Sequence, residues 1–168
     1  MALVAETLVE EWLNRKGYFT IRGIKTGQSE IDLLAASFRE LDALHVEVTV
    51  SAYPIAYIGP PASAKKRTPE EVKAGAEEWF VKKFQGNKGQ VVGRREELCP
   101  DRNWRLMLVY GNLKYPEELA SIEDCGVEVK YIGEILEELR ERKRTFATSS
   151  EASGIAELFD IFCKEQGS

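Results

Sequence analysis

Residues 30–35, EIDLLA, and 45–51, HVEVTVS, decide how the rest of the chain is read. Each alternates acid with aliphatic: Asp32 lies between Ile31 and Leu33, and Glu47 between Val46 and Val48. Period-two alternation predicts strands over 30–36 and 44–50, joined by the polar segment 37–42. If the two strands pair antiparallel about the middle of that connection, residues whose numbers sum to 79 face each other. Asp32 then lies opposite Glu47, and Glu30 opposite Thr49. Side chains directly opposite are about 5 Å apart. Two anions at that distance repel unless a proton or a cation lies between them.

A divalent ion answers that repulsion. Mg²⁺ (or Mn²⁺) accepts one or two carboxylates, backbone carbonyls and several waters. Asp32 and Glu47 are the candidate ligands, and the Val48 carbonyl is a plausible third. Such an ion acidifies a bound water and stabilises charge on a phosphate, so phosphodiester hydrolysis is the natural chemistry. The competing reading places both acids on a solvated sheet face.

Upstream, residues 4–14 form a helical wheel with Val4, Ala5, Leu8, Val9, Trp12 and Leu13 on one apolar face. Glu6 falls at the border of that face, and the helix is expected over 3–15 with Gly17 as its stop. A short strand at 18–22 and a turn at 25–29 follow. Downstream, Tyr53 to Ala64 is a loop rich in Pro, Gly and Ala that ends in Lys65-Lys66-Arg67. Thr68-Pro69-Glu70-Glu71 has the form of a capping box and predicts a helix over 69–84. A variable stretch, 86–103, leads to a strand at 105–110, a helix at 116–124, a strand at 127–131 and a helix at 133–143. A last helix is expected at 150–164, with Ile155, Leu158, Phe159 and Phe162 on one face. Strands joined through helices imply crossovers, hence a mixed α/β sheet. The domain reading is a core over 1–147 with residues 148–168 packed on it as a C-terminal helix.

The 168 residues, 43% hydrophobic and 30% charged, suit one domain that buries roughly 70% of its unfolded surface. Cys99, Cys125 and Cys163 have no Cys or His near them at zinc-ligand spacing, which argues against a structural zinc and a disulfide framework. The opening MALVAETLVEEW carries no basic leader and no apolar run approaches a membrane span, so a cytoplasmic protein is expected. The net charge of −5 argues against non-specific coating of nucleic acid. It is unevenly spread: −3 over residues 1–59, +4 over 60–110 and −6 over 111–168. The basic middle leaves room for a phosphate-binding surface.

The order of these features resembles the PD-(D/E)XK nuclease superfamily, the restriction-endonuclease-like proteins, and within it archaeal Holliday-junction resolvases. The resemblance rests on the helix with Glu6, the turn with Gly27, EIDLLA at 30–35 and HVEVTVS at 45–51. It is good over residues 4–51; beyond them only the order of elements is compatible. It implies a Mg²⁺- or Mn²⁺-dependent DNA endonuclease. Asp32 and Glu47 would be catalytic metal ligands and Glu6 the helix glutamate that completes the metal site in some members. Possible homodimers and branched DNA follow from the same resemblance.

One departure matters. The lysine expected two positions after Glu47 is Thr49, and a neutral hydroxyl cannot stabilise charge as an ammonium does. In some members that lysine sits on the following helix, where Lys73 falls between Phe80 and Phe84 on the wheel and is the substitute candidate. Lys65 and Lys66 in the loop are further candidates and, with Arg67, candidate nucleic-acid contacts. The alternative is a nuclease-like fold without catalysis, serving as a nucleic-acid-binding or protein-interaction subunit.

His45, the only histidine, shares the face of Glu47 and is a candidate to bind phosphate or place water. Tyr53 and Tyr57 are candidates to stack on bases. Arg94, Arg95 and the segment Arg102 to Arg105 are candidates for a phosphate-binding rim.

Overall fold

The computed structural model describes residues 2–27, 29–60 and 65–143. The expected helix at 150–164, the C-terminal part of the domain reading and Cys163 lie outside the described residues.

The apolar wheel near the N-terminus becomes helix α1, Ala2–Arg15. Strands β1 (Tyr18–Thr26), β2 (Ser29–Ser37) and β3 (Asp42–Thr49) follow as an antiparallel meander. The pairing of β2 with β3 runs from Leu33↔Val46 to Ala36↔Ala43, which is the register in which residue numbers sum to 79. Two parallel strands extend the sheet, β4 (Asn103–Tyr110) beside β3 and β5 (Val127–Tyr131) beside β4. The order β1-β2-β3-β4-β5 is therefore half antiparallel and half parallel. The parallel pairings require crossovers. Helix α2 (Pro69–Phe80), a single π-turn (Val81–Gln85) and α3 (Gln90–Leu98) make the first. Helix α4 (Glu118–Asp124) makes the second, and α5 (Ile132–Lys143) follows β5.

Alternation along the strands feeds two cores. On one side, Leu33, Ala35, Leu44, Val46, Val48, Met107 and Val109 pack under Leu8, Val9, Trp12 and Leu13 of α1 and Ile135 and Leu139 of α5. Burial of each such aliphatic side chain contributes about 1.5–3 kcal/mol. On the other side, Leu108 and Val127 meet Ala76 and Trp79 of α2, Phe84 of the π-turn and Ile122 of α4. Val91 of α3 packs on Ile24, Ile31 and Leu34, so α3 roofs the part of the sheet that carries β1 and β2. A five-stranded mixed sheet with helices on both faces is the α/β architecture expected, and it is consistent with a restriction-endonuclease-like fold.

Two local results differ from the expectation. The stretch 86–103, read as variable, contains α3, whose low apolar content (QVVGRREEL) hides it from a periodicity reading. The helix expected over 69–84 stops being α-helical at Phe80. There the Gly86 N–H reaches back to the Val81 carbonyl at 2.8 Å, one residue further than in an α-helix. The capping box at its start is formed: Glu71 N–H donates to Thr68 Oγ1 at 3.3 Å and Thr68 N–H to Glu71 Oε2 at 2.9 Å.

Candidate metal centre

Beyond Leu33↔Val46 the ladder between β2 and β3 ends, and a side chain takes its place. Asp32 Oδ2 accepts the Val48 N–H at 2.8 Å. Across β2 the same point is marked by Gly23, which lies between the pairs Arg22↔Leu33 and Ile24↔Ile31 and has φ of +63°. A residue with a Cβ is strained in that conformation, so glycine permits the bend in β1 opposite Asp32.

Glu47 projects from β3 into the gap beneath the π-turn and is 1% exposed. Its Oε1 lies 3.0 Å from His45 Nε2. Its Oε2 is in ion-pair contact with Lys83 Nζ, yet this buried oxygen receives no well-directed hydrogen bond. Asp32 and Glu47 are within hydrogen-bonding reach of each other's carboxyl. Burial first, and then the Glu47 charge, push the Asp32 carboxyl up to about 6, against the pull of the Val48 N–H and Lys83. Burial likewise raises Glu47, although Lys83 and Asp32 draw it down. Glu6 of α1 is raised by burial and then by Asp32, so its charge acts on the same pocket. Burial lowers Lys83, but the Glu47, Asp32 and Glu30 carboxyls outweigh it and hold the ammonium firmly protonated.

This arrangement tests whether a divalent cation fits. Among the described residues no group of three or more His, Cys, Asp or Glu side chains is placed to hold a metal ion. The donors are two facing carboxyls and a carbonyl. In a strand the N–H and C=O of one residue point to the same side, so the Val48 carbonyl is directed toward β2, as its N–H is. Thr49 shows the complement, its carbonyl accepting from Gly111 N–H at 3.0 Å on the β4 side. Two carboxyls, one carbonyl and open positions suit Mg²⁺ or Mn²⁺, which keeps several waters. The incompletely satisfied Glu47 Oε2 and the raised Asp32 are what such a donor set displays. Asp32, Glu47 and the Val48 carbonyl thus fit the group, whereas Glu6 acts on the pocket by its charge and is not placed as a third ligand.

The lysine is placed differently from the expectation. Lys73 is exposed, and its charge acts on Cys125 beyond α4 rather than on the carboxyls. The residues of α2 that are buried are Val72, Gly75, Ala76 and Trp79, a face centred well away from Lys73. Phe84 is carried into the core by the π-turn and does not extend the α2 face toward Lys73. The residue that reaches Glu47 is Lys83, which the sequence reading overlooked. The signal was present: at about 100° per residue Lys83 falls between Trp79 and Ala76, near the middle of the apolar face. Thr49, half-buried at the end of β3, carries no charge to the site.

Several other candidates serve the fold. Arg67 is 8% exposed: its N–H donates to the Tyr57 hydroxyl at 2.8 Å and its Nη2 to the Gly59 carbonyl at 2.9 Å. Its guanidinium lies over the Tyr57 ring, which itself stacks on Tyr115. Neither Arg67 nor Tyr57 is therefore a surface group for nucleic acid. Arg102 donates to the Ser37 and Glu40 carbonyls, and Arg105 to Glu128 and Asp42, at the end of β4 away from Glu47. Arg94 pairs with Glu97 at 2.6 Å. Lys65, Lys66 and Tyr53 remain exposed, with Lys66 3.7 Å from Glu117.

No protein-family model matches the chain, and no curated protein matches it in sequence. Among solved structures, it is similar to the crystal structure of protein of unknown function AF1548. The TM-score is 0.50 at 13% identity, over 90% of this chain and 74% of that one. It also matches the structure of Pyrococcus furiosus SfsA in complex with Ca²⁺, with TM-score 0.34 and 16% identity over 74% of this chain and 52% of that one. The first likeness concerns the fold alone. The second carries no argument about this chain. Among the described residues no helix is long and apolar enough to cross a membrane.

Proposed function

We propose that this chain is a metal-dependent phosphodiester hydrolase acting on DNA, an endonuclease of the PD-(D/E)XK type in which Lys83 takes the place of the motif lysine. The observation that carries the reading is the contact of three side chains: the facing carboxyls of Asp32 and Glu47, with the Lys83 ammonium against Glu47. Asp32, Glu47 and the Val48 carbonyl would hold Mg²⁺ or Mn²⁺. When bound, the ion supplies an acidified water and charge neutralisation on the scissile phosphate.

The remaining work falls to the chain's own residues. The Val48 N–H fixes one oxygen of Asp32 and leaves the other for a cation. Lys83, kept protonated by the acids around it, places a positive charge where negative charge develops on the phosphate oxygens. That is the task Thr49 cannot perform. Glu6 adds negative charge to the pocket without joining the two ligands. DNA as substrate is supported by the resemblance and by the basic segment 60–110, in which Lys65 and Lys66 are exposed.

Purified protein incubated with duplex, single-stranded and branched DNA in Mg²⁺ or Mn²⁺ tests the proposal. Cleavage should require the metal and disappear in Asp32→Ala. Equal cleavage by wild type and Asp32→Ala would discard the site. Metal binding without cleavage of any of these DNAs would favour the non-catalytic, nucleic-acid-binding alternative.

A further inference from the structure

Arg95, on the buried side of α3, carries a guanidinium that is 8% exposed, and among the described residues it forms no ion pair with a carboxylate. Burying an arginine without a carboxylate costs several kcal/mol. Its local compensations are the face of Trp104, 5.4 Å from the guanidinium carbon, and one nitrogen: Nη1 lies 3.4 Å from His45 Nδ1. His45 is wholly buried, its ring held edge-on against Phe84 at 4.6 Å. On its other side Nε2 lies 3.0 Å from Glu47 Oε1. The imidazole therefore sits between a group that only donates and a group whose ionised form only accepts.

That placement determines the tautomer. A guanidinium has donors and no acceptor, so Nδ1 must present its lone pair to Arg95 and Nε2 must carry the hydrogen. The opposite tautomer would set N–H against N–H at Arg95 and lone pair against carboxylate at Glu47, two repulsive contacts in a buried site. We propose that Arg95 and His45 are positioning residues that fix Glu47. Arg95 selects the Nε2–H form of His45, His45 donates to Oε1, and Oε2 is left free to face Lys83 and a cation. The relay deepens the metal-site reading and rests on it for its purpose, but not for its geometry. Hydrogen-bonded partners behind a metal ligand typically govern about 10–100-fold in metal affinity.

The test uses the fact that His45 is the only histidine, so its ring nitrogens give one set of signals in a ¹⁵N-labelled sample. The metal-free wild type should show the Nε2–H tautomer. Arg95→Met removes one of the two contacts that favour this tautomer, so it should raise the Nδ1–H share above that of the wild type and weaken Mn²⁺ binding by about tenfold in calorimetry. His45→Gln can still donate an amide N–H to Glu47 and accept from Arg95, so it should stay within about threefold of wild type, whereas His45→Leu should not. An Nδ1–H tautomer in the wild type overturns the relay. So does a folded Arg95→Met that keeps both tautomer and affinity. Should Arg95→Met fail to fold, the wild-type tautomer and the Gln/Leu pair at His45 decide. If the wild type binds no Mn²⁺ at all, the metal reading falls and the tautomer alone judges the relay.

Discussion

Asp32 Oδ2 and the backbone N–H of Val48 are joined by a 2.8 Å hydrogen bond across the point where β2 and β3 part. A side chain here replaces a ladder bond. It closes the backbone of one strand onto the carboxylate of the other and brings that carboxylate to Glu47. The same bond occupies one oxygen of Asp32, while burial and then the repulsion between the two acids raise its carboxyl to about 6.

Replacing Asp32 by asparagine reproduces the protonated carboxyl, because the amide oxygen can accept from Val48 while the amide N–H donates to Glu47. The raised Asp32 means that the folded state binds the proton more tightly than the unfolded chain. Its stabilising effect is therefore complete below pH 3.8 and is lost as pH rises through about 6. Allowing for partial exposure, that loss is about 2 kcal/mol. At pH 7.5 without metal, Asp32→Asn should raise Tm by about 4–8 °C in a thermal melt and abolish Mg²⁺-dependent cleavage.

Metal affinity should follow the same proton. Below pH about 6 a cation must displace it from Asp32, and above that pH there is nothing to displace. Calorimetric titrations with Mn²⁺ are expected to tighten by up to about tenfold per pH unit below 6 and to level off above. An affinity independent of pH between 5 and 7 would contradict the shared proton.

The two helix lysines should separate cleanly. Lys83→Met removes the ammonium from Glu47 and is expected to cut the cleavage rate by roughly 10²–10³-fold at saturating metal. Lys73→Met, on the exposed face of α2, should leave it unchanged. Single-turnover cleavage assays on both variants check the assignment; equal losses would refute it.

Glu118 predicts a stability effect away from the metal centre. This fully buried carboxylate accepts from the N–H groups of Ile58 at 2.5 Å and Gly59 at 2.7 Å, and Arg67 binds the Gly59 carbonyl. Burial raises its carboxyl, while the two N–H groups and Arg67 draw it back toward the ionised form. Glu118→Ala would strand two buried N–H groups and an arginine, and should lower the unfolding free energy by about 3 kcal/mol in urea titration. A Cβ at Gly59 would run into the Gly75 carbonyl, so Gly59→Ala should loosen the same knot from the backbone side.

The local features of this chain were legible where they depend on short-range periodicity. Helix α1 begins one residue before its expected start, and the β2–β3 register is the one in which residue numbers sum to 79. Helix α3 was not legible because only a few of its nine residues are apolar, and of these Val91 and Leu98 are the ones that pack toward the sheet. The sequence groups Arg67 with Lys65 and Lys66 in one basic run; nothing in the local pattern shows that it is buried, with its N–H on the Tyr57 hydroxyl and its guanidinium on the Gly59 carbonyl.

The sequence by itself determined that Asp32 and Glu47 share one face and stand across from each other, because strand alternation and hairpin register are fixed by counting along the backbone. Only the tertiary structure decided which lysine meets them and what holds Glu47 in place. A π-turn inserts one residue at the end of α2 and carries Lys83 over the sheet, and α3 brings Arg95 to His45 from fifty residues away. Such contacts depend on how elements pack and how far long side chains reach, and no repeat in the sequence encodes either.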